Sequence, residues 1–240
     1  MNYITFNDFL NCVYVPPTEA NQRPSGDEIL EGLLSIYSGE TPDLTTPNEN
    51  VARKTVQGLK VIGAGVVKIV HRCKAARDSL ELDLSQCSLL HLPEGVLHLM
   101  KHYEVVKCNL SDNRLSQISP KFGSFFSNIT SLDLSYNNIS NLPKDISLCK
   151  NLQSVDISVN SFVAFPYVLL SIHEIVEIKA NQNFIAEVDE EALECHNNLE
   201  KVNLEGNPLT AKTYEKLSIF DSFKIVLSEK KLEEWEDLSI

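Results

Sequence analysis

The chain has 240 residues, of which 43% are hydrophobic, so it is long enough to bury a core of its own. Its 33 acidic residues outnumber its 21 basic ones, and the formal net charge of −12 argues against binding to the phosphate backbone of nucleic acids. The partners we expect are therefore proteins. No apolar stretch approaches the roughly 20 residues that a membrane-spanning helix needs.

Residues 1–50 form a markedly acidic segment, with one basic and eight acidic residues. They contain five prolines and no repeated pattern, which favours a flexible extension without a core. The first eight residues lack the basic start and apolar run of a secretory signal, so we expect an intracellular, cytoplasmic location, with the nucleus left open. The six scattered cysteines contain no CxxC pair, which agrees with reduced thiols in such a compartment.

A basic segment follows, residues 51–78, with seven basic residues and one acidic residue. Apolar residues such as Val56, Leu59 and Val70 recur among the lysines and arginines at a spacing typical of an amphipathic helix. We expect this helix to cover the N-terminal end of the domain behind it as a cap.

One motif then recurs six times, at spacings of 23 to 26 residues. The first three copies read LDLSQCSL, CNLSDNRL and LDLSYNNI, and the later three are more divergent. A period of this kind is the signature of a solenoid, in which each repeat buries its apolar edge against its neighbours. The copies begin, in chain order, at Leu82, Cys108, Leu132, Val155, Ile178 and Val202.

Within each copy, apolar and polar residues alternate, which predicts a short parallel strand with one buried and one exposed face. Tyr136 is predicted to point outward as an aromatic anchor, whereas Phe162 is expected in the core. Three aspartates at the exposed middle position favour a basic ligand, and the alternative is that these residues are merely solvated. The predicted partner-binding positions are Asp83, Asn109, Asp133, Asp156, Lys179 and Asn203, together with Tyr136.

The turn after each strand carries an asparagine, or in the first copy a cysteine. An asparagine side chain can both donate and accept hydrogen bonds, so it can satisfy backbone groups that a buried turn leaves unpaired. A thiol can make only one weak bond, so we expect a low-stability edge or a covering cap at the first copy. This predicted structural ladder consists of Cys87, Asn113, Asn137, Asn160, Asn183 and Asn207.

After the last copy the pattern changes again. Residues 211–217 predict a helix, residues 223–227 a short closing strand, and residues 229–238 an acidic helix that carries Trp235. We expect these elements to cover the C-terminal end of the solenoid.

Residues 51–227 resemble the small intracellular leucine-rich-repeat proteins. The resemblance implies an α/β fold: a leucine-rich-repeat solenoid, or horseshoe, with parallel strands on its concave side and short convex helices near residues 93–101 and 143–149. Together with it, the repeat period and the flanking segments predict about six repeats in residues 79–210, a helical N-terminal cap in residues 51–78 and a mixed C-terminal cap in residues 211–240. The residues that carry it are Val51 to Lys54, Leu82 to Cys87, the Leu-Pro steps at Leu92 and Leu142, the Phe-Pro step at Phe165, and Val202 to Leu209.

Neither the residues nor the resemblance indicates catalytic residues, a cofactor or a metal site. His98 and His102 lie four residues apart, but the glutamate of an HExxH motif and a third ligand are missing. The sequence therefore predicts a monomeric, non-enzymatic scaffold or adaptor that binds a protein partner on its concave strand face. The alternative, which the net charge suggests, is an acidic regulator or inhibitor of a basic protein or of an enzyme such as a phosphatase.

Overall fold

A computed structural model describes residues 68–229, apart from the side chains of Glu94 and His98. Seven strands of three residues each form one parallel sheet in chain order, and the register aligns equivalent positions of successive repeats. The α/β repeat solenoid predicted from the sequence is therefore confirmed. The strands are β1 (Glu81–Asp83), β2 (Lys107–Asn109), β3 (Ser131–Asp133), β4 (Ser154–Asp156), β5 (Glu177–Lys179), β6 (Lys201–Asn203) and β7 (Lys224–Val226).

The core lies behind the sheet and follows from the alternation in the motif. In β1 to β6 the middle residue of each strand is buried, while the residues on either side of it are exposed or half-buried. The second apolar residue of the motif lies just past the strand and is also buried, as Leu134 shows with no exposed surface. Each repeat thus covers the apolar edge of the next, and Phe162 is buried as predicted.

The segments that connect β1 to β6 contain short helices whose type follows the length of the repeat. The repeats of 23 residues form 3₁₀ helices, whereas the longer repeats form α-helices. A 3₁₀ helix rises about 2.0 Å per residue against about 1.5 Å for an α-helix, so fewer residues span the same distance. The α-helices are α2 (Glu94–Met100), α3 (Phe122–Phe125) and α4 (Glu190–Glu194), and the 3₁₀ helices are Lys144–Leu148 and Tyr167–Ser171.

A helix ahead of the first repeat, α1, occupies residues 68–79. Ile69, Cys73 and Ala76 lie on its buried side and belong to the same apolar core as the repeats. The predicted basic helix is thus helical in the part that is described, and it ends one residue later than residue 78. Residues 51–67 and the acidic segment 1–50 lie outside the described residues.

The sheet continues beyond the sixth motif. Helix α5 (Ala211–Ser218) follows the last ladder residue, and β7 then pairs with β6, so that Ile225 lies opposite Val202. The predicted closing strand is therefore shorter than expected and belongs to the same sheet as the repeats. The predicted acidic helix with Trp235 falls outside the described residues. None of the helices between residues 68 and 229 has the length and hydrophobicity of a membrane span.

Candidate protein-binding surface

The turns that follow the strands are held in place by the ladder asparagines. Asn137 Oδ1 accepts a hydrogen bond from Leu115 N, and its Nδ2 donates to Leu110 O and Leu134 O, each at 3.0 Å. The side chain therefore joins its own repeat to the preceding one and holds both turns in place. The same pattern of bonds, across neighbouring repeats, is made by Asn113, Asn160, Asn183 and Asn207.

The first ladder position differs because it holds Cys87, whose thiol contacts Ser85 O at 3.5 Å. Here α1 contributes Arg72, and its Nη1 donates to Ser85 O at 2.5 Å and to Asp83 O at 3.2 Å. Sequence reasoning expected either a weak edge or a cap at this repeat, but it did not identify Arg72. No local signal marks that arginine, since only the packing of α1 brings it to the turn.

We call the outward side of the sheet the polar strand face, defined as the first and third residues of strands β1 to β6. All twelve residues are exposed or half-buried, so every predicted strand position lies on the solvent side. The face comprises Glu81, Asp83, Lys107, Asn109, Ser131, Asp133, Ser154, Asp156, Glu177, Lys179, Lys201 and Asn203.

The aspartates of this face already make hydrogen bonds within the chain. Asp133 Oδ1 accepts from the backbone N–H of Ser135 at 2.9 Å and from its hydroxyl at 2.7 Å. Asp156 and Ser158 repeat the arrangement, and Asp83 accepts the backbone N–H of Ser85 in the same way. One carboxylate oxygen of each aspartate therefore fixes the strand end, and the second oxygen of Asp156 lies 3.6 Å from Lys179 Nζ.

Opposite charges on the polar strand face are mostly paired across neighbouring strands. Among the charged residues of β1 to β6 in the described part of the chain, Asp133 alone has no opposite charge within 4.0 Å. The face therefore carries one uncompensated carboxylate, near its centre. The pairs are Glu81 with Lys107, Asp83 with Arg72 of α1, Asp156 with Lys179, and Glu177 with Lys201.

The residue before each ladder position adopts the left-handed backbone conformation, with φ between +52° and +69°. An aromatic or β-branched residue is unusual there, because its Cβ crowds the following carbonyl at a cost of about 1–2 kcal/mol. Tyr136 points outward as predicted, with 60% of its surface exposed. Only one of the six residues is glycine, so the sequence gives little sign of this conformation. The six are Gln86, Asp112, Tyr136, Val159, Gln182 and Gly206.

An apolar surface adjoins the polar strand face at the carboxyl ends of β3 to β5. Val163 is 68% exposed and Phe184 is 60% exposed, and sequence reasoning identified neither of them. Successive turns stack there through backbone hydrogen bonds, such as Phe184 N to Phe162 O at 2.8 Å. We call the loop flank the nine residues one before, one after and three after the ladder asparagine in these repeats: Tyr136, Asn138, Ser140, Val159, Ser161, Val163, Gln182, Phe184 and Ala186.

Comparison with known proteins agrees with this architecture. The family model described as leucine rich repeat matches residues 104–162. The solved structure of the leucine-rich-repeat protein LIC12759 of Leptospira interrogans superposes with a TM-score of 0.50 at 24% identity, over 57% of this chain and 34% of that one. At this identity the likeness bears on the fold alone.

Two relatives are similar over part of the chain. Adenylate cyclase of Schizosaccharomyces pombe is 31% identical over 112 residues, which are 46% of this chain and 6% of that protein. Leucine-rich repeat-containing protein 20 of Homo sapiens is 29% identical over 100 residues, which are 40% of this chain and 54% of that protein. The matched region thus spans a small part of the first relative and about half of the second.

Proposed function

Because this chain is a leucine-rich-repeat protein, and its fold implies a protein–protein interaction module, we propose that it binds a protein partner on the polar strand face. In this proposal it acts as an intracellular, monomeric and non-enzymatic scaffold or adaptor. The observation that carries the proposal is the row of twelve outward side chains on six aligned strands. Neighbouring strands lie about 4.8 Å apart, so the row spans about 24 Å, enough for a helix or an extended peptide.

The centre of the face is suited to close contact with a partner. In β3 and β4 the first residues are Ser131 and Ser154, which are small, and they flank the carboxylates of Asp133 and Asp156. At both ends of the face, by contrast, longer side chains form ion pairs. A partner can therefore approach the strand backbone most closely at β3 and β4, where the acidic groups lie.

The test is capture of partners from a cell lysate by the purified protein, followed by quantitative mass spectrometry. The variant carries Asp133→Lys, Asp156→Lys and Tyr136→Ala together, and we expect it to lose the captured partner while its melting curve stays cooperative. A matched control carries Glu174→Lys, Glu200→Lys and Leu148→Ala, all exposed residues outside the face. Unchanged capture by the first variant, or equal loss with the control, would exclude the polar strand face.

A second candidate is an acidic regulator or inhibitor of a basic protein or of an enzyme such as a phosphatase, which the net charge of −12 favours. The two candidates differ in the distance over which the forces between the protein and its partner act. Long-range attraction between exposed charges is screened within about 8 Å at physiological salt. Capture that disappears as the salt concentration rises, and that the combined Asp133→Lys, Asp156→Lys and Tyr136→Ala variant does not affect, would favour this candidate.

A further inference from the structure

The loop flank lies next to the polar strand face, and the inference that concerns it rests on the proposed function. We propose that the binding surface continues from Asp133 of β3 across the loop flank. Its occupant is an apolar peptide segment of the partner that carries one basic side chain.

The composition of the loop flank supports an apolar occupant. In a chain with 22% charged residues, none of its nine residues is charged, and five are apolar. Tyr136, Val163 and Phe184 belong to three successive repeats, and each exposes at least 60% of its surface. Clusters of exposed apolar side chains on one side of a soluble domain usually mark interaction sites.

The left-handed turns make a purely structural explanation of Tyr136 and Val159 less satisfactory. Asp112 and Gly206 hold the same conformation in other repeats, and these residue types tolerate it far better than tyrosine or valine. Since the Tyr136 ring is mostly exposed, packing within the chain does little to compensate for its backbone strain. Contact of the ring with a partner gives it a role that an asparagine or glycine could not fill.

The charge pattern limits the occupant to one basic group at this place. Asp133 is the uncompensated charge of β1 to β6 among the described residues, whereas Asp156 already lies 3.6 Å from Lys179. A second cation nearby would meet the ammonium group of that lysine. Tyr136 follows Asp133 by three residues in the chain, and in this proposal its exposed ring stacks on the same cation. An arginine side chain suits both groups, because its guanidinium can pair with a carboxylate and also stack on a ring.

The test selects a random dodecapeptide phage library on the wild-type protein. Fluorescein-labelled synthetic copies of the enriched peptides are then titrated by fluorescence polarisation. We expect peptides with one arginine or lysine and several apolar residues. Asp133→Asn and Phe184→Ser should each weaken their binding about tenfold.

Tyr136→Asn separates binding from structure. Asparagine tolerates the left-handed conformation, so the variant should melt about 2–4 °C higher for each kcal/mol of strain relieved, while peptide binding falls at least about tenfold. The matched control is Gln86→Asn, at the same turn position of the first repeat, which should leave binding unchanged. Unchanged affinity of the Tyr136→Asn variant, or enrichment of polybasic peptides or of none, overturns the inference.

The two proposals can fail separately. If selected peptides lose affinity with Asp133→Asn but not with Phe184→Ser or Tyr136→Asn, the loop flank is excluded and the polar strand face remains. If lysate capture is indifferent to a variant that carries Asp133→Lys and Asp156→Lys without Tyr136→Ala, the proposed function itself fails.

Discussion

The guanidinium of Arg72 in α1 donates a hydrogen bond of 2.5 Å to the carbonyl oxygen of Ser85, in the turn after β1. In the next repeat the equivalent carbonyl, that of Ser111, accepts the backbone N–H of Gln86 at 3.1 Å. On the outer side of β1 lies α1 instead of another repeat, so an arginine supplies the bond that a neighbouring backbone supplies elsewhere. The helix thus protects the first turn with a polar contact as well as with its apolar side.

We expect Arg72→Met to destabilise the protein by about 1–3 kcal/mol, because two carbonyl groups lose their donor while the apolar stem is kept. Hydrogen exchange should show the loss first in the amides of β1 and its turn. Lys74→Met is the matched control, since Lys74 is exposed on the same helix. Equal melting temperatures for both variants would contradict a structural role for Arg72.

Removing one ladder asparagine should destabilise the turns on both sides of it. We expect Asn137→Ala to cost about 1–3 kcal/mol, because an amide and several carbonyl groups remain buried without partners. Chemical denaturation measures this against Asn138→Ala, which changes the exposed neighbour of Asn137. The ladder would be unimportant if the two variants unfolded at the same denaturant concentration.

Truncation in the core tests the register of the repeats. Leu134 has no exposed surface, so Leu134→Ala should cost about 2–5 kcal/mol through lost contacts and a residual cavity. Val163→Ala, at a mostly exposed position, should change the unfolding free energy by less than about 0.5 kcal/mol. A reversed order of the two costs would mean that the strand faces are assigned the wrong way round.

The charge of Asp83 should stabilise the fold in a pH-dependent manner. Burial alone would raise the pKa of this carboxyl, but the hydrogen bonds from Ser85 and the charges of Arg72 and Lys68 bring it below its usual value of 3.8. A lowered pKa stabilises the fold above the unfolded value, and this contribution is lost as the pH falls through the folded value.

Asp83→Asn isolates that charge, because asparagine can still accept the N–H of Ser85, as Asn109 does from Ser111. We expect the variant to be less stable near neutral pH by up to about 1 kcal/mol, in the range of exposed ion pairs. The difference from wild type in thermal melts should shrink as the pH falls below 3.8. A difference that stays constant across this range would rule out the charge as its source.

The buried cysteines should resist alkylation in the folded state. Burial raises the pKa values of Cys73 and Cys149 to about 12, while Cys195 is exposed. Because the thiolate is the reactive form, iodoacetamide at mildly alkaline pH should modify Cys195 and spare the other two until the protein is unfolded. Peptide mapping by mass spectrometry gives the three rates, and equal rates in the folded protein would contradict the described packing.

Features that depend on neighbouring residues could be predicted from the sequence. The alternation around Leu82 and Leu132 determines the strand register, because side chains on a strand alternate between its two faces. The hydrogen-bonding capacity of asparagine similarly predicts a role for Asn137 at a buried turn. Both conclusions need only the local pattern and the repeat period.

Features that depend on packing between repeats could not be predicted in this way. Arg72 reaches Ser85 only because α1 lies against β1, and the two residues are 13 apart in sequence. The exposure of Phe184 depends on where its turn stacks, since the next residue, Ile185, is buried. The isolated charge of Asp133 becomes visible only when the cross-strand ion pairs are known.

Photo-crosslinking inside cells tests most directly whether a partner occupies the polar strand face. A photoreactive phenylalanine analogue replaces Asn109 on β2 in one protein and Leu148 on the 3₁₀ helix Lys144–Leu148 in another. We predict that irradiation joins a partner protein to the Asn109 variant and that the Leu148 variant does not crosslink to this partner. Crosslinks from position 148 alone, or none from position 109, would contradict binding on this face.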